Sequence, residues 1–191
     1  TADVYPYDGA TTRRVAEVLV PPAGSRLEAL LAQVDDPRTD EAVRARLLDQ
    51  VVIEWRAVLS DARLREQVRV RTESPPDGVF SWVKTVGYDS FRFVRSADPA
   101  LVGRMVSEVA RERDLPEFEL LSRLLADQGG TIKLTMGAIQ EAEVRVLLRQ
   151  PWAMVSSDGR EGGLEGGRGH PRYRGSFARV LAEYVRNNSV L

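Results

Sequence analysis

From residue 99 to the end of the chain, the hydrophobic pattern alternates between the period of a helix and that of a strand. Helices are predicted at about 99–112, 116–127, 140–149 and 176–187, and strands at 131–136 and 152–157. Such alternation is typical of α/β folds, in which successive strands run parallel. The pattern therefore predicts an α/β architecture with parallel strands for this half of the chain.

The segment 13–97 has a different pattern. Its strongest signal is a helix over 39–59, where apolar residues recur every four positions and place Trp55 in the core. Alternating or apolar runs predict strands at 67–72, 80–83 and 90–94. A short helix is expected after Ser25, which has Glu28 three residues later as in a capping box. This segment is therefore interpreted as a separate α+β insertion.

Composition excludes several classes of protein. The 191 residues include 27 basic and 28 acidic side chains, so no strong general attraction to nucleic acid or to an anionic membrane is expected. The lack of cysteine excludes disulfides and Cys-ligated metal sites within this chain, and the single histidine, His170, excludes a cage of several imidazoles. Neither a membrane-spanning run nor a secretory signal is apparent, so a cytoplasmic location is expected.

The sharpest candidate for chemistry is Asp158, which follows the apolar strand 152–157 and precedes Gly159. Ligands of α/β folds gather beyond the carboxyl ends of the strands, so a carboxylate at this place is a candidate site residue. An aspartate before a glycine is also a common turn former. The spacing alone leaves both interpretations open.

A glycine-rich loop follows at 159–175. It has no lysine and no phosphate-loop motif, and Glu161 and Glu165 offset its arginines, so neither a phosphate cradle nor an RNA-binding segment fits well. A loop that covers a pocket fits better. At its end, His170 and Arg172 are close enough in sequence to approach Asp158, although a lone histidine in a loop is more often an exposed hydrogen-bonding residue than a ligand.

Two tyrosines stand at the end of the first predicted strand, over residues 2–7. Tyr5 and Tyr7 are two positions apart, so they share a face of an extended strand. They are either phenols presented to a ligand or two half-buried aromatic side chains, and the pattern does not decide between these.

Three segments resemble one family in order along the chain. They are YPYDGATT at 5–12, EAEVRVLLRQPWAMVSSDG at 141–159 and GHPRYRGSFARVLAEYVR at 169–186. Together with the stretch 87–130, they resemble the D-aminoacylases, which are N-acyl-D-amino-acid deacylases of the amidohydrolase superfamily. SDG followed by HPR and by G-[ST]-F-x-R-V-L carries most of the specificity of this resemblance.

The resemblance implies a fold. The family has a (β/α)8 barrel with zinc at the carboxyl ends of its strands, where active sites of this fold lie. The chain would then comprise the last strands and helices of an amidohydrolase barrel with a small α+β insertion. Residues 1–12 would be strand seven and its loop, 13–97 the insertion over the active-site mouth, and 98–191 the final helices and strand eight.

The resemblance also implies roles for individual residues. Asp158 matches the residue that acts as general base and contacts the metal centre, and Arg172 matches the one that holds the α-carboxylate of the substrate. Tyr5 matches another substrate-binding position, and Tyr7 is a second candidate. The expected parent enzyme is zinc-dependent and hydrolyses an N-acyl-D-amino acid to a carboxylate and a free D-amino acid.

The chain departs from the family pattern in its metal ligands. The H-x-H pair, the cysteine and the further histidines are absent, so we expect the isolated chain to hold no zinc and to be inactive. Its partners would be the rest of the parent barrel and the small-molecule substrate. Apolar surface normally covered by that barrel favours self-association. The alternative is a non-catalytic binding or regulatory module derived from a barrel fragment.

Overall fold

The computed structural model describes residues 1–8, 10–137, 139–158 and 172–191. The chain divides into two compact units. The central unit is Thr11–Met136, and the terminal unit combines Thr1–Ala10 with Gly137–Leu191. No helix among the described residues is both long enough and apolar enough to cross a membrane.

Helix predominates over strand in this mixed α/β chain. The strands within the described residues are β1 (Ala2–Val4), β2 (Ala10–Arg14), β3 (Phe91–Arg95), β4 (Lys133–Gly137) and β5 (Ala153–Val155). The α-helices there are α1 (Val15–Val18), α2 (Arg26–Asp35), α3 (Glu41–Ser60), α4 (Ala62–Glu73), α5 (Trp82–Val86), α6 (Val106–Glu112), α7 (Glu117–Gln128), α8 (Glu141–Leu148) and α9 (Arg172–Arg179). A π-helical segment, Val180–Asn187, continues α9, and 3₁₀ turns cover Tyr88–Ser90, Pro99–Leu101 and Gly129–Thr131.

The long helix α3 organises the central unit. It begins where the Asp40 carboxylate accepts from the backbone N–H groups of Ala42 and Val43, which would otherwise lack partners. Its inner face packs against α2 and α7. Trp55 is fully buried there, and its indole N–H donates to the carbonyl of Ala16 at 3.0 Å. The predicted helix and the predicted core position of Trp55 are both confirmed.

A three-stranded sheet in the order β2–β4–β3 forms the other part of this unit. Strands β3 and β4 are antiparallel, with Phe91 opposite Met136 and Phe93 opposite Leu134. All four of these side chains are buried, because alternate residues of each strand face the core. The strand predicted at 90–94 is confirmed.

Two predicted strands are helices instead. Residues 67–72 belong to α4, which starts where the Asp61 carboxylate accepts from the backbone N–H of Leu64 at 2.9 Å. The alternating pattern misled because Val68 and Thr72, four residues apart, form the buried helix face. Trp82 and Val83 are the first residues of α5, whose first turn is capped by the Ser81 hydroxyl.

The elements after residue 99 also differ from the prediction in their bounds and in the direction of strand pairing. The single helix expected at 99–112 is a 3₁₀ turn and then α6, separated by Gly103 at a φ of +91°. Strand β4 pairs antiparallel with β3, so the expectation of uniformly parallel strands is wrong there. The central unit also runs to Met136, beyond the 13–97 segment assigned from the sequence. The barrel roles given to 1–12, 13–97 and 98–191 stay predictions.

The terminal unit contains the parallel pair β1–β5, with Ala2 opposite Ala153 and Val4 opposite Val155. Helix α8, helix α9 and the π-helical segment belong to the same unit. Its buried hydrophobic residues are Val4, Val144, Leu148, Val180, Tyr184 and Val190.

Candidate functional site

The candidate site is built at the carboxyl end of the parallel pair. Strands β1 and β5 end level with each other, and the backbone N–H of Ser156 donates to the carbonyl of Val4 at 3.0 Å just beyond the ladder. Tyr5 follows one strand and Asp158 lies three residues beyond the end of the other. Because parallel strands present their carboxyl ends at one edge, these residues come from distant parts of the sequence to the same place.

Asp158 pairs with Arg172, the first residue of α9. The Nη2 of Arg172 lies 2.9 Å from the Oδ2 of Asp158. The carboxylate side chain is 61% exposed and the arginine side chain 21% exposed. Asp158 has a φ of +41°, a region that aspartate and asparagine tolerate better than most residues. The backbone turn thus brings a solvent-accessible carboxylate to a largely covered guanidinium.

The guanidinium of Arg172 also lies over the ring of Tyr5, with its Cζ 4.8 Å from the ring centre. A planar guanidinium stacks with its face and donates with its edge, so one arginine can make both contacts. We call these three residues the Tyr5–Asp158–Arg172 cluster. The structure brings together Tyr5, Asp158 and Arg172 of the five residues singled out from the sequence; Tyr7 contacts Arg179 instead, and His170 lies outside the described residues.

Tyr7 lies against the next turns of the same helix. The Cζ of Arg179 is 4.8 Å from the centre of its ring. A Cβ added at Gly175 would be 2.6 Å from the Tyr7 hydroxyl, closer than real side chains approach. Glycine at this position therefore admits the phenol to the helix surface.

Arg179 also contacts Glu141 and the ring of Tyr184. The Tyr184 hydroxyl donates to the Oε2 of Glu141 at 2.9 Å, and the Nη2 of Arg179 lies 3.6 Å from the same oxygen. Burial raises the pKa of Tyr184, and the hydrogen bond to Glu141 adds to the rise. The phenol therefore stays a neutral donor, and the contact connects α8 to the helix that carries Arg172.

Gly175 and Arg179 are the glycine and arginine of the G-[ST]-F-x-R-V-L motif, but neither was assigned a role from the sequence. Both lie in the quoted segment GHPRYRGSFARVL, at three and seven residues after Arg172. Positions i, i+3 and i+7 fall on one face of a helix, so a helical interpretation starting at Arg172 places them beside it. The helix was predicted to start near 176, which hid this signal.

The fit of a metal ion can be tested on the donors present. Across the ranges that the structure describes, no group of three or more His, Cys, Asp or Glu side chains is placed to hold a metal ion. Asp158 is a single carboxylate whose measured neighbour is an arginine. The described donors do not fit zinc.

Comparisons with known proteins give one similar structure and no matching family. No protein-family model and no curated protein matches the sequence. Among solved structures, the chain is similar to the crystal structure of N-acyl-D-glutamate deacylase from Bordetella bronchiseptica, complexed with zinc and a phosphonate that mimics the tetrahedral intermediate. The identity is 22% and the TM-score 0.43, over 79% of this chain and 36% of that one. The chain thus spans about a third of that protein's length.

Proposed function

We propose that this chain is part of an amidohydrolase that cleaves N-acyl-D-amino acids into a carboxylate and a free D-amino acid. The ordered segments that resemble the D-aminoacylases support the reaction class. The observation that carries the proposal is the 2.9 Å contact between Asp158 and Arg172, which joins two of the three motif segments. Tyr5 joins the third through its ring contact with Arg172.

In this proposal Arg172 binds the α-carboxylate of the substrate. A guanidinium edge can bind both carboxylate oxygens at once, which fixes the plane and direction of the bound molecule. Stacking on Tyr5 holds the guanidinium plane in place. An arginine that is oriented before the substrate arrives loses less conformational freedom on binding.

Asp158 is proposed as the general base. Its carboxylate takes a proton from the attacking water as the water oxygen bonds to the acyl carbon. It then passes the proton to the amide nitrogen as the C–N bond breaks. In an N-acyl amino acid, that nitrogen is two bonds from the carbon of the α-carboxylate. A base in direct contact with the carboxylate-binding arginine therefore has the short separation that this substrate requires.

The test uses the full-length protein that contains this chain and an N-acetyl-D-amino acid as substrate. We expect Asp158→Asn to lower kcat by about 10²–10⁴-fold with a small change in KM, the usual contribution of a general base. Arg172→Met should mainly raise KM. Arg174→Met is the matched control, because Arg174 is exposed on the same helix and its measured contact is with the ring of Tyr173.

Normal turnover by Asp158→Asn would remove its role as base, and equal turnover of the L-enantiomer would remove the proposed substrate class. The non-catalytic binding module remains the second candidate, since Arg172 and Tyr5 can hold a carboxylate without chemistry. Saturable binding of N-acetyl-D-amino acids, lost in Arg172→Met and accompanied by no turnover in the full-length protein, would favour that module.

A further inference from the structure

The central unit contains a cavity that the proposed function does not use. Its volume is about 700 Å³ and it opens to solvent. Its walls come from the end of α1, from α2, from α4 and from the segment leading into α5. Pockets for small molecules have volumes of roughly 300–1,000 Å³, so the size suits a compact organic ligand.

Arg71 of α4 is a largely covered cation in the wall of this cavity. Its side chain is 16% exposed, and its Nη2 donates to the Oε1 of Glu28 at 3.0 Å. Its Nε is covered and meets no hydrogen-bond acceptor among the described residues. A buried donor without an acceptor is costly, more so on a charged group. A ligand that brings an acceptor to this guanidinium would therefore be stabilised.

An aromatic pair forms another wall. Phe80 and Trp82 meet edge to face, with ring centres 4.9 Å apart. Phe80 is 61% exposed, so this ring is not part of the core. The guanidinium of Arg13 lies 5.7 Å from the centre of the Trp82 ring. The cavity thus offers open aromatic surface and a second cation on the same side of the unit.

Three acidic residues also line the cavity, and they restrict the ligand. Glu28 already binds Arg71 and accepts from the backbone N–H of Gly24 at 2.7 Å. Glu17 accepts from the backbone N–H of Arg14 at 2.7 Å. Asp35 is exposed. These carboxylates disfavour a polyanion, whereas a cation would bring no acceptor for Arg71.

We propose that this cavity binds a small aromatic monocarboxylate. The carboxylate lies against the guanidinium of Arg71, and the ring packs on Phe80 and Trp82. This site goes beyond the proposed function, because none of its residues belongs to the Tyr5–Asp158–Arg172 cluster.

The probe is 4-fluorobenzoate, followed by the ¹⁹F line width of the ligand in the presence of the full-length protein. We expect saturable broadening with a Kd of about 1 mM or tighter, a range typical of small ligands with one charged contact. Two matched probes, 4-fluorobenzyl alcohol and 4-fluorobenzylammonium, carry the same ring without the negative charge and should bind at least about tenfold more weakly.

Variants assign the binding to this cavity. Arg71→Met should weaken binding about 10- to 100-fold, as expected for a lost charged hydrogen bond. Phe80→Ala should weaken it several-fold, and folding is little affected because the ring is exposed. Arg63→Met, an exposed arginine on the same helix, is the control and should leave binding unchanged.

A further control separates the two carboxylate sites. Arg172→Met removes the arginine of the Tyr5–Asp158–Arg172 cluster and should leave 4-fluorobenzoate binding intact. Loss of binding in that variant would overturn the proposal, as would equal binding of the neutral alcohol. Unchanged affinity in Phe80→Ala would overturn it even if Arg71→Met fails to fold.

Discussion

The two units differ in how much apolar surface they bury. In the central unit, one continuous cluster of buried hydrophobic side chains runs from Val15 in α1 to Met136 in β4. In the described part of the terminal unit, the corresponding cluster is small, and an apolar stripe of Phe177, Leu181 and Val185 is 60%, 65% and 44% exposed. The residues proposed to act on substrate thus lie in the unit with the smaller described core. Stability and candidate chemistry are carried by different parts of the chain, and mutations can separate them.

The largest expected effect is at the centre of the larger core. Trp55→Ala should reduce the free energy of unfolding by about 3–5 kcal/mol, because it removes a fully buried ring and leaves a cavity. Chemical denaturation measures it. Ile53→Ala, on the same helix but 64% exposed, should change stability by less than about 0.5 kcal/mol. Similar losses in the two variants would contradict the buried position of Trp55.

The next largest effect on stability is expected from a buried polar contact in the same unit. The Thr72 hydroxyl accepts from the backbone N–H of Val20 at 2.9 Å, and Thr72 is fully buried. Thr72→Val keeps the shape and leaves that N–H without a partner, so a loss of about 1–3 kcal/mol is expected in denaturation. The exposed Thr12→Val in β2 is the control and should be close to neutral. A neutral Thr72→Val would show that Val20 finds another acceptor.

The stability of the two units at alkaline pH depends on one tyrosine in each, Tyr88 and Tyr184. Burial raises the pKa of Tyr88, with a further rise from the Glu73 carboxylate, and burial and Glu141 raise that of Tyr184. The folded state therefore keeps these protons at a pH where the unfolded chain loses them. The contribution of the two tyrosines to the free energy of unfolding is fully present below about pH 10, the ordinary tyrosine pKa. It is lost as the pH rises toward their pKa in the folded state.

Stability should therefore fall above about pH 10, by up to about 1.4 kcal/mol per pH unit for each tyrosine. Tyr88→Phe and Tyr184→Phe should each reduce that slope when the free energy of unfolding is measured between pH 10 and 11. If only Tyr88→Phe does so, the transition reports the central unit alone and the terminal unit unfolds separately.

A smaller effect concerns the close contact between Gly175 and Tyr7. Alanine is favoured over glycine in a helix by about 1 kcal/mol, but here its Cβ would meet the Tyr7 hydroxyl at 2.6 Å. Gly175→Ala should gain little or lose stability in the native sequence and should stabilise the Tyr7→Phe background. A double-mutant cycle gives a coupling of about 1 kcal/mol. If the stability changes of Gly175→Ala and Tyr7→Phe are additive, the Tyr7 hydroxyl does not lie against position 175.

The smallest effect is expected at the proposed base. Asp158→Asn breaks a contact whose carboxylate is 61% exposed, so the change in stability should stay within about 0.5 kcal/mol. Asparagine also tolerates the φ of +41°. Thermal unfolding is the measurement. A large destabilisation would mean that loss of activity in this variant reports folding and not proton transfer.

Helices with a regular apolar face could be predicted from the sequence, because burial and helical period agree in them. Helices α3 and α7 are examples. Residues 67–72 could not, because alternate valines satisfy a strand pattern while Asp61 starts a helix. The approach of Arg172 to Asp158 was suggested by the loop between them. The roles proposed for these two residues rest on the resemblance alone. The cavity at Arg71 depends on a contact with Glu28, 43 residues away, which no local pattern encodes.

The neighbouring strands β2 and β4 have a consequence for the order of folding. Pairing Ala2 with Ala153 in an unfolded chain closes a loop of about 150 residues. Once β2 and β4 lie side by side in the central sheet, only the short connections from β1 to β2 and from β4 to β5 remain to be ordered, about 20 residues in all. The saving in loop-closure entropy is about 2 kcal/mol. The central unit should therefore fold first, and the pairing of β1 with β5 should follow.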